Sequence, residues 1–498
     1  MRRFNKPWQI ALIAIASALI LLVSYTAILV VPTISHGKSY ISAIKSGADS
    51  TDIKSKADAL NRDVARTLGF SKWPIIKQVT GFFGFNFSPI QNEIVASISA
   101  AAILGVKDKP QTFLLAFQNS AEARGTGGIL GSYAIVKIEN GKLTVQKTGS
   151  NAELKSLEEI PLKMPAEYGA LYRSDPAIWQ NSNLSPHFPY GAEIWMELWR
   201  LQTGQNLDGV IAVDPTALSY ILRATGPIKL ASGEEINSDN VVEKTLKEAY
   251  KRFEFDNMGR KQYLVDIMNA TFEQIMASKF RKLAMAIAIR DGILENRILI
   301  YSTNSDAEAL FAKTRLGGFM DTSLNNEYRA VIENIDASKL DYYLARKITV
   351  SELECGSSAK TEVKIKVTNT VTDAKNLSAY VLTRGDKNSP RSLVAGQHRF
   401  KVFIYGPTSS TLVSASLKSK AGSAGGVATE RGRPVLVADV DLLPGQSDEV
   451  SAIFAGGVGE LTYVDQPLVR KSAIEINRIC KRSGKRERRS LKYVFTFY

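Results

Sequence analysis

Phe113-Leu114-Leu115-Ala116-Phe117-Gln118-Asn119-Ser120-Ala121-Glu122-Ala123-Arg124-Gly125-Thr126-Gly127-Gly128 is the passage on which the reading of the fold turns. Its first five residues are an uninterrupted apolar run, as in a buried strand. The rest is polar and glycine-rich and reads as a loop. Residues 133–138 and 143–147 follow as two strands about Asn140-Gly141, a strong hairpin signal. A strand, a loop and a hairpin do not make a βαβ unit. Gly125, Gly127 and Gly131 miss the G-x-G-x-x-G spacing by one residue, and no Gly-Lys-Ser/Thr phosphate loop is present. These observations argue against dinucleotide binding and P-loop chemistry.

Downstream, residues 164–189 are rich in Pro and Trp, and 191–202 read as a helix with Ile194, Leu198 and Leu201 on one face. Residues 210–213 read as a strand. Asp214 is a natural N-cap with Pro215 at the first helical position, and Gly226-Pro227 stops that helix. Helical stretches at 241–252 and 260–291 complete an α/β (α+β) domain spanning 112–341. From 342 to 479 the pattern changes to short alternating runs, at 363–367, 400–404 and 435–440, which predict an antiparallel β-sandwich. Residues 421–426 read as a small-residue loop within it. Cys355 and Cys480 stand at its limits. In an oxidising exterior they either pair across its first and last strands or remain free thiols.

Upstream, residues 10–31 are 22 positions without a charge, Asn, Gln, Gly or Pro. As a helix they extend about 33 Å, enough to span a bilayer. The basic residues precede them, so residues 1–9 are expected in the cytoplasm and the bulk of the chain outside the plasma membrane. Residues 32–111 read as a helical membrane-proximal region. Its aromatic and lysine-bearing stretch at 70–87 either lies on the bilayer or packs under the next domain.

Lys plus Arg number 63 against 49 Asp plus Glu, a formal +14. Residues 478–492 alone carry eight basic and one acidic side chain, so the basic tail at 480–498 and the N-terminus hold most of the excess. The body is close to charge-balanced, which gives no support to a nucleic-acid partner. Three histidines without ligand spacing and two cysteines argue against a His-rich or thiolate metal site.

Several passages resemble a bacterial family of membrane-anchored exterior proteins without assigned reaction, the domain of unknown function DUF4012. They are Gln118-Asn119-Ser120-Ala121-Glu122-Ala123-Arg124 with Gly127-Gly128, Asn183-Leu184-Ser185-Pro186-His187-Phe188-Pro189, 207–215 with Ala224-Thr225-Gly226-Pro227, and 337–344. More faintly, the order of elements resembles the LytR-CpsA-Psr cell-wall glycopolymer ligases. Those bind a polyprenyl-pyrophosphate-linked polymer with arginines, usually with a divalent metal such as Mg, and transfer it to peptidoglycan. That resemblance implies a LytR-CpsA-Psr-like domain with Arg124 as a first arginine-bearing loop and Arg252 and Arg260 as an arginine-rich segment. The ligases' Arg-Thr-Asp is Arg124-Gly125-Thr126-Gly127 here, so their metal-binding aspartate has no counterpart.

The candidate site is therefore Arg124, with the backbone of Gly125, Gly127 and Gly128 as an anion cradle, joined by Arg252 and Arg260 on a pyrophosphate. Against it stand plainer roles: Arg124 paired with Glu122, Arg252 and Arg260 as solvated helix charges, Asn119 as a turn former, and His187 as a packed loop residue instead of a general base. Three functions remain open. They are a glycopolymer phosphotransferase, a module that binds lipid-linked or anionic wall polymer, and a scaffold whose sandwich contacts other proteins.

Overall fold

In the computed structural model the apolar run at 113–117 is only the start of β1 (Gln111–Arg124), a fourteen-residue strand. The polar stretch read as a loop is its continuation, and it is almost wholly buried. The structure describes residues 110–480 apart from 140–141, 278–281, 313, 321–325, 383–393, 418–423 and 458, together with scattered positions between 35 and 63. The chain divides into two units, Met1–Gln111 with Lys137–Thr144, and Thr112–Val136 with Val145–Tyr498. In the first, the described positions between 35 and 63 are helical, and His36 pairs with Asp63. The expected membrane segment at 10–31, the aromatic stretch at 70–87, the Asn140-Gly141 turn and the tail at 481–498 lie outside the described residues. Among the described residues no helix is long and apolar enough to cross a membrane.

In the second unit, β1 sits at the centre of a mixed sheet. β2 (Gly127–Glu139) and β3 (Lys142–Ser150) follow it, and β4 (Gly209–Val213) runs parallel to it with Phe113 opposite Gly209 and Phe117 opposite Val213. A small ribbon, β5 (Ile228–Lys229) with β6 (Glu235–Ile236), precedes β7 (Ile298–Ser302), which is antiparallel to β4. The sheet order is β3-β2-β1-β4-β7.

Eight helices or helical segments matter here. They are α1 (Ala166–Tyr172), α2 (Phe188–Thr203), α3 (Pro215–Thr225), α4 (Val241–Glu243, continuing through a π turn at Lys244–Glu248 to Ala249–Arg252), α5 (Asn257–Ala277), α6 (Lys282–Leu294), α7 (Ser305–Phe311) and α8 (Ala379–Leu382). The stretch read as one helix over 260–291 is thus α5 and α6.

Side chains alternate across β1, so its two faces meet different partners. Leu114 and Ala116 share a core with Ile194, Trp195 and Leu198 of α2, while Phe117 meets Phe272 of α5 edge-on at 6.4 Å. Ile194 and Leu198 lie on the buried face of α2 as expected, but Leu201, expected with them, is exposed; Gly204 ends the helix in a left-handed turn whose N–H reaches Arg200. α3 forms as its sequence predicts: Asp214 accepts from the Ala217 N–H at 2.8 Å, Pro215 opens the helix and Gly226 closes it.

Two five-stranded sheets follow. Their strands are β8 (Glu327–Asn334), β9 (Leu344–Glu354), β10 (Lys360–Asn369), β11 (His398–Tyr405), β12 (Ser410–Leu417), β13 (Ala424–Glu430), β14 (Arg433–Leu442), β15 (Ser447–Gly456), β16 (Thr462–Asp465) and β17 (Ala473–Asn477). The orders are β12-β15-β10-β9-β17 and β13-β14-β11-β8-β16. Val363, Ile365 and Val367 of β10 and Phe400, Val402 and Ile404 of β11 fill the core between the sheets, the expected alternation.

Three details differ from the sequence reading. The boundary expected between residues 341 and 342 falls after the sandwich has begun, because β8 pairs with β11 in register from Phe400↔Asn334 to Tyr405↔Arg329. The sandwich is not wholly antiparallel, since edge strands β16 and β17 run parallel to β8 and β9. The small-residue loop at 421–426 gives way to strand from Ala424. The core of the α/β sheet also continues into the sandwich through Val331, Phe403, Tyr405 and Val435.

Cys355 and Cys480 are joined by a disulfide, just beyond the ends of the paired strands β9 and β17. The bond closes 125 residues of chain, which in the loop-entropy account is worth up to about 5 kcal/mol. Reduction should therefore lower the urea midpoint of the sandwich. An unchanged midpoint with and without dithiothreitol would show that the bond adds nothing to stability.

Candidate functional site

The site grows from the far end of β1, where charged and amide side chains enter the interior and must find partners there. Arg124 is 5% exposed, and all five of its N–H donors are engaged. Nε and Nη2 donate to Asn181 Oδ1 at 3.0 and 2.8 Å, Nη2 also to Glu122 at 3.2 Å, and Nη1 to the carbonyls of Ala123 and Asn334 at 2.8 and 3.1 Å. Glu122 in turn pairs with Lys339. The Ala123 N–H donates to Asp341 at 2.9 Å, and Gln466 donates to the Arg124 carbonyl at 2.8 Å. These bonds fasten the strand end to β8 and to the segments after it.

Beside this clamp lies a cavity of about 540 Å³. Arg124 and Glu122 form part of its wall, α5 contributes Asn257, Arg260 and Lys261, and Tyr250, Lys339 and Tyr380 also line it. Arg260 is 3% exposed, yet its Nη1 has no hydrogen-bond partner among the described residues, while Nη2 donates to Asn257 Oδ1. Its guanidinium lies over the rings of Tyr250 and Tyr380, 4.6 and 4.0 Å from their centroids, a cation–π seat that holds the charge without satisfying its donors. Tyr250 and Tyr380 stack on each other at 5.5 Å, and Asn119 donates to the Tyr250 hydroxyl. The Lys261 amine has no ion pair or hydrogen bond among the described residues. Burial, and then the charge of Arg260, lower its pKa. An unpaired guanidinium nitrogen next to an unpaired amine is an arrangement that takes an anion.

The structure brings together two of the six residues expected in the site. Arg124 and Arg260 line one cavity, but Arg124 has no donor left for a ligand, so the role assigned to it is corrected to that of a structural clamp. Arg252 is elsewhere. It is exposed, pairs with Glu234 at 2.6 Å and lies over Phe253 and Tyr263. The break between α4 and α5, where Asp256 accepts from the Gly259 N–H, separates it from Arg260.

Gly125, Gly127 and Gly128 form no anion cradle either, because they line no part of the cavity. A Cβ at Gly125 would stand 2.0 Å from the Leu184 carbonyl oxygen, and one at Gly128 2.0 Å from that of Asn119. These glycines are required for close packing of the β1–β2 turn. Asn183 holds that turn from the other side, donating to the Gly128 carbonyl at 2.9 Å. His187 is a packed residue, its Nδ1 accepting from the Met320 N–H and its ring between Tyr190 and Phe319. Asn119 lies within β1 and not in a turn.

Sequence reasoning assigned no role to Lys261, Lys339, Asn181, Tyr380 or Glu333, and took Tyr250 only as part of the stretch that resembles an arginine-rich segment. Their convergence depends on contacts between distant segments. The one available signal was the density of charge in 250–261 and 337–341.

The divalent metal implied by the ligase resemblance does not fit these residues. Among the described residues no group of three or more His, Cys, Asp or Glu is placed to hold a metal ion. Of the three carboxylates in the cavity wall, Asp175 is exposed and Glu122 is taken by Arg124 and Lys339. Burial, before any neighbouring charge, pushes the carboxyl of Glu333 well above the usual range, a poor state for a metal ligand.

Residues 108–250 match the family described as "Protein of unknown function (DUF4012)", the family expected from the passages quoted above. No curated protein matches the sequence. Among solved structures, a transcriptional regulator from Bacillus subtilis, yvhJ, is 14% identical over 43% of this chain and 78% of its own, with a TM-score of 0.23. A transcriptional regulator from Enterococcus faecalis is 14% identical over 42% and 73%, with a TM-score of 0.25. TagV from B. subtilis, a LytR-CpsA-Psr family protein, is 15% identical over 43% and 82%, with a TM-score of 0.24. At scores of this size neither activity nor ligand passes from these proteins to this chain.

Because Arg124 is a buried clamp, Arg124→Ala should destabilise the protein by about 3–5 kcal/mol, the cost of breaking a buried pair and stranding its partners. Arg252→Ala, at a surface pair, should cost less than about 1 kcal/mol. Urea denaturation of both variants checks this, and equal costs would contradict the clamp.

Proposed function

We propose that the chain is a membrane-anchored, extracytoplasmic protein of the cell envelope that binds the phosphate-bearing part of a lipid-linked or anionic glycopolymer, with Arg260 and Lys261 as its ligands. The observation that carries this reading is the buried Arg260 Nη1, which has no partner among the described residues and lines a cavity large enough for a phosphorylated sugar. A buried polar group left unpaired costs about 1–3 kcal/mol, and an anion bound there recovers that cost. Anchoring rests on the apolar stretch at 10–31. The exterior location is supported by the Cys355–Cys480 disulfide, a bond typical of oxidising compartments.

Binding without transfer is the reading we retain. Expulsion of a pyrophosphate needs charge stabilisation by several free cations or a metal. Here Arg124 is spent on the fold, Lys339 is held by Glu122, which it shares with Arg124, and Lys401 pairs with Asp439 at 2.6 Å. What remains is one guanidinium nitrogen and one amine, which suits retention of a ligand.

Farnesyl pyrophosphate, a short soluble polyprenyl pyrophosphate, provides the test with the full chain in detergent. Arg260→Gln should weaken its binding about 10- to 100-fold, the worth of a charge-assisted hydrogen bond. Arg252→Ala should leave it unchanged. Equal affinities of wild type and a folded Arg260→Gln would overturn the proposal.

A further inference from the structure

A second buried atom in the same cavity has no partner. Glu333 of β8 is 4% exposed and lines the cavity, and its Oε1 makes no hydrogen bond among the described residues. The charged groups around it come from four segments: Arg124 of β1, Lys401 of β11, Glu430 of β13, and Asp175 in the turn after α1. None of them bonds to Oε1. The donors of Arg124 are all spent and Lys401 is held by Asp439. Glu430 is occupied by the hydroxyls of Ser185, Tyr172 and Tyr405 at 2.6, 3.0 and 2.8 Å. A cation-lined cavity that also carries a carboxyl group without a partner implies that the ligand meets both.

We propose that Glu333 is a specificity-determining contact, its carboxyl O–H donating to an oxygen of the phosphate group held by Arg260 and Lys261, so that the cavity retains its ligand in acid and releases it as pH rises. This rests on the reading of the cavity as a phosphate site. Burial is the main reason the proton stays on. Glu430 and Asp175 add to it, while Arg124 and Lys401 oppose it. Below the raised pKa, Glu333 is a neutral donor. Above it, a carboxylate faces the anion and repels it. Lys261, its own pKa lowered, also sheds charge as pH rises, but equally in wild type and in a Glu333 variant.

Calorimetric titration of the full chain with inorganic pyrophosphate from pH 6 to pH 9 tests the proposal, with the thermal midpoint of each variant as the check on folding. Relative to Glu333→Gln, which keeps a neutral donor at every pH, wild-type affinity should fall by at least about tenfold across the range, the factor equivalent to one pKa unit. Glu333→Ala should bind about fivefold more weakly than wild type at pH 6, the worth of one neutral hydrogen bond. Parallel pH profiles of wild type and Glu333→Gln overturn the role of Glu333 and leave the phosphate site standing. Loss of binding at every pH in a folded Glu333→Gln also overturns it, because a neutral donor would then not suffice. Absence of pyrophosphate binding by wild type at pH 6, while Arg260→Gln behaves identically, overturns both readings.

Discussion

A strand that carries a glutamate and an arginine into a protein interior must pair every polar atom it brings, and the end of β1 does so with partners from the rest of the second unit. Glu122 takes Arg124 and Lys339, while Arg124 reaches Asn181 and the Asn334 carbonyl. The strand's backbone is bound by Asp341 and Gln466. Gln466 also bonds both the N–H and the carbonyl of Ile332 on β8. One strand thus belongs to the α/β sheet at its start and is bonded to the sandwich at its end. A buried pair is expensive to break, so these contacts fix the geometry between the two layers.

The same constraint separates structural charges from available ones. The passages that mark the family are largely spent on packing: Asn183 on the β1–β2 turn, Ser185 on Glu430, Asp214 on the α3 cap and Arg297. What is left over is small. Among the described residues of the cavity wall, the groups not spent are Arg260 on its tyrosine seat, Lys261, the Glu333 carboxyl on β8 and the exposed Asp175. Electrostatic capacity for a ligand is set by these residues, and the arginine count of the sequence says little about it.

Local rules were legible where local forces decide. The Asp214-Pro215 cap, the Gly226 stop, the α2 face at Ile194 and Leu198 (though not the exposed Leu201) and the alternation in β10, β11 and β14 stand where the residues put them. The rule failed where burial is polar. Residues 118–124 read as a loop because the groups that let Asn119, Glu122 and Arg124 be buried include Tyr250, Lys339 and Asn181, which are 131, 217 and 57 residues away. β8 hid its place in the sandwich because Glu327, Arg329, Glu333 and Asn334 are buried with its apolar residues, which erases the alternation. For the site, Arg260 and Arg252 were singled out together by the resemblance to an arginine-rich segment, and charge alone did not distinguish them. Only the break at Asp256 sends the two side chains to different places. The glycines at 125, 127 and 128 looked like a cradle because close backbone approach and anion binding use the same residue type.

The central claim is that the spare donors of Arg260 and Lys261, and not the glycine turn or Arg124, receive a phosphate. A crystal of the full chain soaked with inorganic pyrophosphate tests it most directly. The account predicts pyrophosphate oxygens within about 3 Å of Arg260 Nη1 and Lys261 Nζ, hydrogen-bond distance, with the bonds of Arg124 unchanged. Pyrophosphate seated on the backbone N–H groups of Gly125 to Gly128, or Arg124 released from Asn181 and Glu122 to meet it, would contradict it.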